Sequence, residues 1–146
     1  MALDYGRRRI GVAISDPTRT IASPRGVIER PAGGEAARTL PPRELIELVG
    51  QVRPSVIVVG IPLSMDGSAG DMAREARAFA TRLRETTGTP TAEWDERLTT
   101  ARAEREIRAL GLRRSRRREK GRSDEMAATL MLTDYLRSAA RDDGTA

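Results

Sequence analysis

Residues 1–16 read MALDYGRRRIGVAISD, and the fourth of them sets the problem. Asp4 closes a short apolar lead-in and is followed at once by Tyr5, Gly6 and then Arg7, Arg8 and Arg9. An unpaired carboxylate at the mouth of a buried strand costs several kcal/mol. Either a site needs negative charge held rigidly there, or Asp4 pairs with an arginine across its own hairpin. Working outward, the lead-in predicts an unusually short first strand, and Gly6 to Arg9 a turn. IGVAIS (10–15) alternates Ile10, Val12 and Ile14 with Gly11, Ala13 and Ser15, as a strand with one crowded face does. Asp16-Pro17 signals a turn. TIASPRGVI (20–28) predicts a third strand, and Pro24 inside it assigns that strand to a sheet edge, because proline cannot donate to the ladder. Tight turns between the three predict an antiparallel meander. The Pro/Gly-rich stretch ERPAGGEAARTLPP (29–42) reads as a mobile loop.

Beyond Pro42 the pattern changes. Leu45, Ile46, Leu48, Val49 and Val52 fall at helical spacing, and Pro54 stops that helix. SVIVVG (55–60) is a continuous, mostly β-branched run, the mark of a central strand covered on both faces. IPLSMDGSAG (61–70) is a loop. Ser68 and Asp71 are expected to form a capping box for a helix whose apolar stripe is Met72, Ala76, Phe79, Ala80 and Leu83. TTGTP ends it, and TAEW (91–94) is a short strand leading into DERLTT (95–100). Thr99 or Thr100 is expected to cap a helix carrying Ala103, Ile107 and Leu110. Ser123 is expected to cap a last helix carrying Ala127, Leu130, Met131 and Tyr135. Residues 139–146 read as a frayed tail, leaving 1–138 as one domain. The fold class is α/β: a mixed five-stranded sheet, three antiparallel strands and then two lying parallel to the first, flanked by helices on both faces.

A chain of 146 residues has room for a core without staples. It contains neither Cys nor His, which excludes disulfides, thiol chemistry and imidazole acid–base catalysis. The longest apolar run, VIVVGIPL, is too short to span a bilayer, and no secretory leader is expected, so the prediction is a soluble, cytoplasmic protein with no membrane partner. Net charge is +5 and unevenly spread: residues 105–122 hold nine Arg or Lys against two Glu, a net of +7, so the rest sums to −2. A concentrated cationic segment is the footprint of a polyanion. The ordinary alternative is a solvated loop in an arginine-rich protein, since lysine occurs only at Lys120.

Ligands of open α/β sheets bind at the carboxyl ends of the parallel strands. Asp4 follows the first strand, GIPLSMDG (60–67) the fourth and Asp95-Glu96-Arg97 the fifth, and the first turn of a helix starting at Ser123-Asp124-Glu125 is expected to return to the same edge. Acids gathered with no His or Lys repel one another, and a hard divalent cation resolves that repulsion. Each acid also has an ordinary reading. Asp4 pairs with its own hairpin arginines; Asp95, Glu96 and Asp124 are N-terminal charges of helices, worth about 0.3–1 kcal/mol each.

Four ordered motifs, ALDYGRRRIGVAISDP (2–17), IVVGIPLSMDGSAG (57–70), EWDERLTT (93–100) and SDEMAATLML (123–132), make the chain resemble the YqgF family, also called RuvX, a branch of the ribonuclease H-like superfamily related to RuvC junction resolvases. The resemblance runs over nearly the whole chain. It implies a ribonuclease H-like fold and an Mg²⁺- or Mn²⁺-dependent endonuclease that matures the 5′ end of the small-subunit rRNA precursor. Resolution of branched DNA is the other activity attributed to the family. Carried over by position, Asp4 is the first-strand metal ligand, Glu96 the second acid with Asp95 as its understudy, and Asp124 the acid at the start of the last helix. Gly60, Pro62 and Gly67 shape a loop beside the site.

Arg7, Arg8, Arg9, Arg97 and the loop arginines Arg113, Arg114, Arg116, Arg117 and Arg118 would then grip phosphates of structured RNA or branched DNA, the former within a ribosomal precursor particle. The aromatics are Tyr5, Phe79, Trp94 and Tyr135 alone, with Phe79 and Tyr135 on core stripes, so there is no platform for stacking single-stranded bases. The segment 113–122 is expected to be mobile until nucleic acid orders it. A non-catalytic RNA-binding assembly factor, and a nucleotide-binding kinase or ATPase using the D-x-G turn, are the competing classes. Either a monomer or a homodimer fits.

Overall fold

Met1, Leu3 and Tyr5 face one side of a sheet, and Ala2 and Asp4 face the other; this alternation decides where the site lies. A computed structural model describes residues 1–99 and 120–144. Strand β1 is Ala2–Asp4, β2 Arg9–Ser15 and β3 Ala22–Glu29, followed by helices α1 (Glu35–Thr39) and α2 (Arg43–Val52). Then come β4 (Ile57–Ile61), α3 (Asp71–Thr87), β5 (Thr91–Asp95) and a long C-terminal helix, α4 (Lys120–Gly144). The sheet order is β3-β2-β1-β4-β5. β1 pairs antiparallel with β2 and parallel with β4, and β4 pairs parallel with β5. The predicted mixed five-stranded sheet is present, with Pro24 on an edge strand, where the ladder shifts register between Val12 and Ala13. β4 is buried at all five positions, as a run covered on both faces must be.

The two faces carry different cores. Leu3, Ile10, Val12, Ile57, Val59 and Ile61 pack with Leu45 and Val49 of α2 and with Ala76, Phe79 and Leu83 of α3. On the opposite face Ala2, Ala13 and Val58 pack with Ala128, Met131 and Leu132 of α4. Large side chains line the first face, while Ala2, Gly11, Ala13 and Gly60 lie on the second, so α4 sits close to the sheet backbone.

Several local expectations are corrected. The loop 29–42 contains α1 rather than remaining irregular throughout. No capping box forms at α3: its N-cap is Gly70, and Ser68 instead closes the preceding loop, its carbonyl accepting from Ser64 N–H (2.9 Å). Residues 96–99 are already helical, so Thr99 is no N-cap; its hydroxyl accepts from Trp94 Nε1 at 2.8 Å. α4 begins before Ser123, which places Asp124 beyond its first residues and removes the reading of Asp124 as a first-turn charge. Among the described side chains of α4, the buried ones are Ala128, Met131 and Leu132, with Tyr135 packed against them, rather than Ala127 and Leu130. Helix continues through Gly144, into the segment expected to fray. The helix expected around Ala103, Ile107 and Leu110, and the arginine loop with its expected mobility, lie outside the described residues.

Candidate active site

The β1–β2 register places Asp4 directly opposite Gly11. A Cβ on Gly11 would collide with the backbone carbonyl of Asp124, so glycine there lets α4 settle onto β2 and brings Asp124 beside Asp4. Gly60 does the same for the other acid: a Cβ on it would meet Glu96 Oε1 at 2.5 Å and Met131 Cε at 2.7 Å. Gly11 and Gly60 are thus the clearance that admits Asp124 and Glu96. A glycine inside a strand is a signal of such close approach, and Gly11 is the functional position that motif reading passed over.

The carboxylates converge. Asp4 and Glu96 are joined by a hydrogen bond, with Asp124 near enough to be felt. Burial, then the Glu96 carboxylate, then Asp124 push Asp4 up to about 8. Burial also raises Glu96, and Asp95 adds to that, while the hydrogen bond from Asp4 opposes it. At neutral pH, with no cation, the pair therefore retains a proton on Asp4. Glu96 Oε1 is buried with no hydrogen-bond partner among the described residues. Burying a polar atom unsatisfied costs about 1–3 kcal/mol, and a crowded all-oxygen donor set is what a hard divalent ion prefers. The residues present therefore fit Mg²⁺ or Mn²⁺. Among the described residues no three acids form a ready-made set for an ion, and Asp124 Oδ2 is ion-paired with Arg9 Nε at 3.5 Å.

The remaining expected residues separate clearly. Asp4 makes no ion pair with its hairpin arginines. Arg7 instead binds Glu75 of α3 through Nε (3.0 Å) and Nη2 (2.7 Å). Arg8 is exposed, with no ion pair among the described residues. Asp95 is held by Arg97, whose Nη2 lies 2.6 Å from Oδ2 and whose backbone N–H donates to Oδ1 at 3.0 Å; the Arg97 guanidinium keeps Asp95 below the usual carboxylate range. Of the two neighbouring acids, Glu96 and not Asp95 faces Asp4. Arg97 Nη1 also donates to the Met65 carbonyl at 3.3 Å, and Gly67 holds φ at 85° beside the same guanidinium, which braces the β4–α3 loop against the site. Pro62 stands in that loop. Arg113, Arg114, Arg116, Arg117 and Arg118 lie outside the described residues.

A substitution isolates the clearance argument. In an ordinary strand, Gly→Ala gains about 0.5–1 kcal/mol from lost unfolded-chain freedom. Gly11→Ala is expected to do the reverse and cost about 1–3 kcal/mol, as overpacking does, because the obstructing atoms are helix backbone. Urea unfolding with an unchanged m value checks it.

The family model described as "RuvX: Holliday junction resolvase" matches residues 1–138. The chain is 39% identical over 145 residues to a Rhizobium etli protein named "Putative pre-16S rRNA nuclease", covering 97% of this chain and 84% of that one. A Roseiflexus protein of the same name is 41% identical over 138 residues, covering 94% and 93%. Among solved structures, Thermus thermophilus RuvC in complex with a Holliday junction superposes with a TM-score of 0.56 at 16% identity, covering 94% of this chain and 93% of that one. At that identity the likeness speaks for the fold, the ribonuclease H-like architecture expected above. With its core match and two relatives near 40% identity over almost its full length, the chain belongs to the RuvX family of nucleases.

Proposed function

We propose that the protein is a divalent-metal-dependent endonuclease that cuts structured RNA, with the 5′ end of precursor 16S rRNA as its substrate. One observation carries this reading: Asp4 and Glu96 stand together, half-buried, at the carboxyl ends of the parallel strands, with the Glu96 Oε1 atom itself buried and without a partner among the described residues. Asp4, Glu96 and Asp124 would hold the ion. Mg²⁺ or Mn²⁺ bound there supplies an activated water and charge stabilisation for the leaving oxygen of a phosphodiester. The chain's own residues set the conditions. Gly60 and Gly11 let two of the acids approach, partial burial of Asp4 and Glu96 limits the water around them, and Asp95 is kept from the ion by Arg97. Arg8, exposed on the turn that follows Asp4, is positioned for a backbone phosphate. The names of the curated relatives support the RNA substrate, and with it a cytoplasmic location on a ribosomal precursor particle.

The family description favours a second reading, branched DNA. The two are separated by cleavage assays run side by side with Mg²⁺ and with Mn²⁺, on a precursor 16S 5′ fragment and a synthetic four-way DNA junction. Cutting of the RNA alone, abolished by chelator and by Asp124→Asn, is the expected result. Cutting of the junction alone transfers the assignment to DNA. Binding of either substrate with no metal-dependent cutting leaves an assembly factor and overturns the nuclease reading.

A further inference from the structure

Arg9 opens β2 two residues before Gly11, so strand alternation puts both on the α4 face. Since α4 lies on Gly11 at Asp124, the Arg9 side chain meets that acid as a consequence of register. Its Nε reaches Asp124 Oδ2, although Glu29 is its cross-strand neighbour. Both partners are about one-third exposed, 30% and 31%, so an ion and a phosphate can each reach the pair.

We infer that Arg9 and a divalent cation compete for Asp124: Arg9 acts as an internal counter-ion that yields the carboxylate to the metal and is thereby released to a substrate phosphate. The inference rests on the metal-site reading above. A guanidinium is weakly hydrated and its fork suits carboxylate and phosphate alike, so the exchange swaps one anionic partner for another. Metal then frees the phosphate-binding group, and phosphate draws Arg9 off the metal ligand. By linkage each ligand must raise the other's affinity by the same factor. Metal and nucleic acid should therefore bind cooperatively, with Arg9 as the coupling element. Arg9 is a positioning and exchange residue here, not a source of the reacting charge.

The test reads metal binding directly and needs no turnover. Mn²⁺ is titrated by calorimetry into the full chain without nucleic acid. Arg9→Gln should bind Mn²⁺ about three- to tenfold more tightly than wild type, on the order of 0.7–1.4 kcal/mol, because Arg9 no longer competes for the carboxylate. In an Asp124→Asn background the same change should give no gain. Arg8→Gln removes an equal charge one residue away and should shift affinity less than twofold. If Arg9→Gln melts early, Arg9→Met keeps the aliphatic stem and should show the same tightening. Unchanged or weaker Mn²⁺ binding in the Arg9 variants overturns the inference while leaving the metal site standing. So does a gain that persists without Asp124, which is general electrostatics. Failure of wild type itself to bind Mn²⁺, or equal binding by Asp4→Asn, removes the metal-site reading and this inference together.

Discussion

Asp4→Asn is expected to abolish cleavage and at the same time to raise the melting temperature of the metal-free protein. The first effect should be on the order of a thousandfold or more, ~4 kcal/mol of transition-state stabilisation, because a neutral amide cannot share an ion with Glu96 and Asp124. The second follows from the crowding. Asp4 is an acid whose folded value is raised to about 8 from an ordinary 3.8. Between those values the folded chain holds a proton that the unfolded chain has released, so stability falls as pH rises from about 4 to about 8. Asparagine carries no charge through that window, and its amide N–H₂ can donate to the Glu96 carboxylate. A gain of about 1–2 kcal/mol, or ~3–8 °C in melting temperature, is expected at pH 8. Saturating Mn²⁺ should reverse the ranking: at a hundredfold excess over Kd it stabilises wild type by about 2.7 kcal/mol and the variant far less. Thermal melts of both proteins, with Mn²⁺ and with chelator, test all of this. A variant that melts below wild type in chelator would show that Asp4 is stabilised by a partner rather than strained by one.

Much of this was legible because the alternation in β2 and the continuous apolar run of β4 are set by the two covered faces of a central sheet. Periodicity reports burial, so the strands and their mixed pairing could be read directly, while the missing N–H of Pro24 marked the edge strand. What it cannot report is which polar side chain meets which. Arg7, Arg8 and Arg9 are indistinguishable as a run, yet the pleat and the turn send Arg7 to Glu75, leave Arg8 exposed and turn Arg9 onto Asp124. Asp95 and Glu96 are adjacent acids whose roles separate only because Arg97 curls back to the first. Helix starts were the weakest reading. Ser68 and Ser123 look like caps, but one closes a loop through its backbone carbonyl and the other lies within α4. Glu75 was the signal passed over: it sits four residues before Phe79, on the buried stripe of α3, where a charge has to be there for a reason.

That charge should be expensive to remove, on a par with a side chain of the apolar core. Glu75 is 6% exposed and gathers Tyr5 Oη (3.2 Å), Arg7 through two nitrogens and Arg38 Nη1 (3.3 Å). Arg30 stacks over the Tyr5 and Phe79 rings and donates to the Gly6 carbonyl at 2.9 Å. Together they tie the turn after Asp4 to α3 and to the end of α1. Removing one partner of a buried ion network costs about 3–5 kcal/mol. Arg7 and Arg38 are 41% and 32% exposed and can rehydrate, and Tyr5 retains the Arg38 carbonyl at 3.1 Å, so Glu75→Ala should fall at the lower end, about 3 kcal/mol. The pH dependence separates this role from that of Asp4. Glu75 is held below its ordinary value, chiefly by Arg7, so its contribution is fully present above about pH 4.5 and is lost as pH falls through the folded value. The wild-type stability curve should therefore decline on both sides, in acid through Glu75 and toward pH 8 through Asp4. Urea unfolding across pH 3–8 should show Glu75→Gln with a shallower acid limb and Asp4→Asn with a shallower alkaline one. Asp16 and Asp95, also held low, keep the acid limb from vanishing, and a Glu75→Gln curve that simply drops by a constant at every pH would mean that packing, not charge, is what Glu75 contributes.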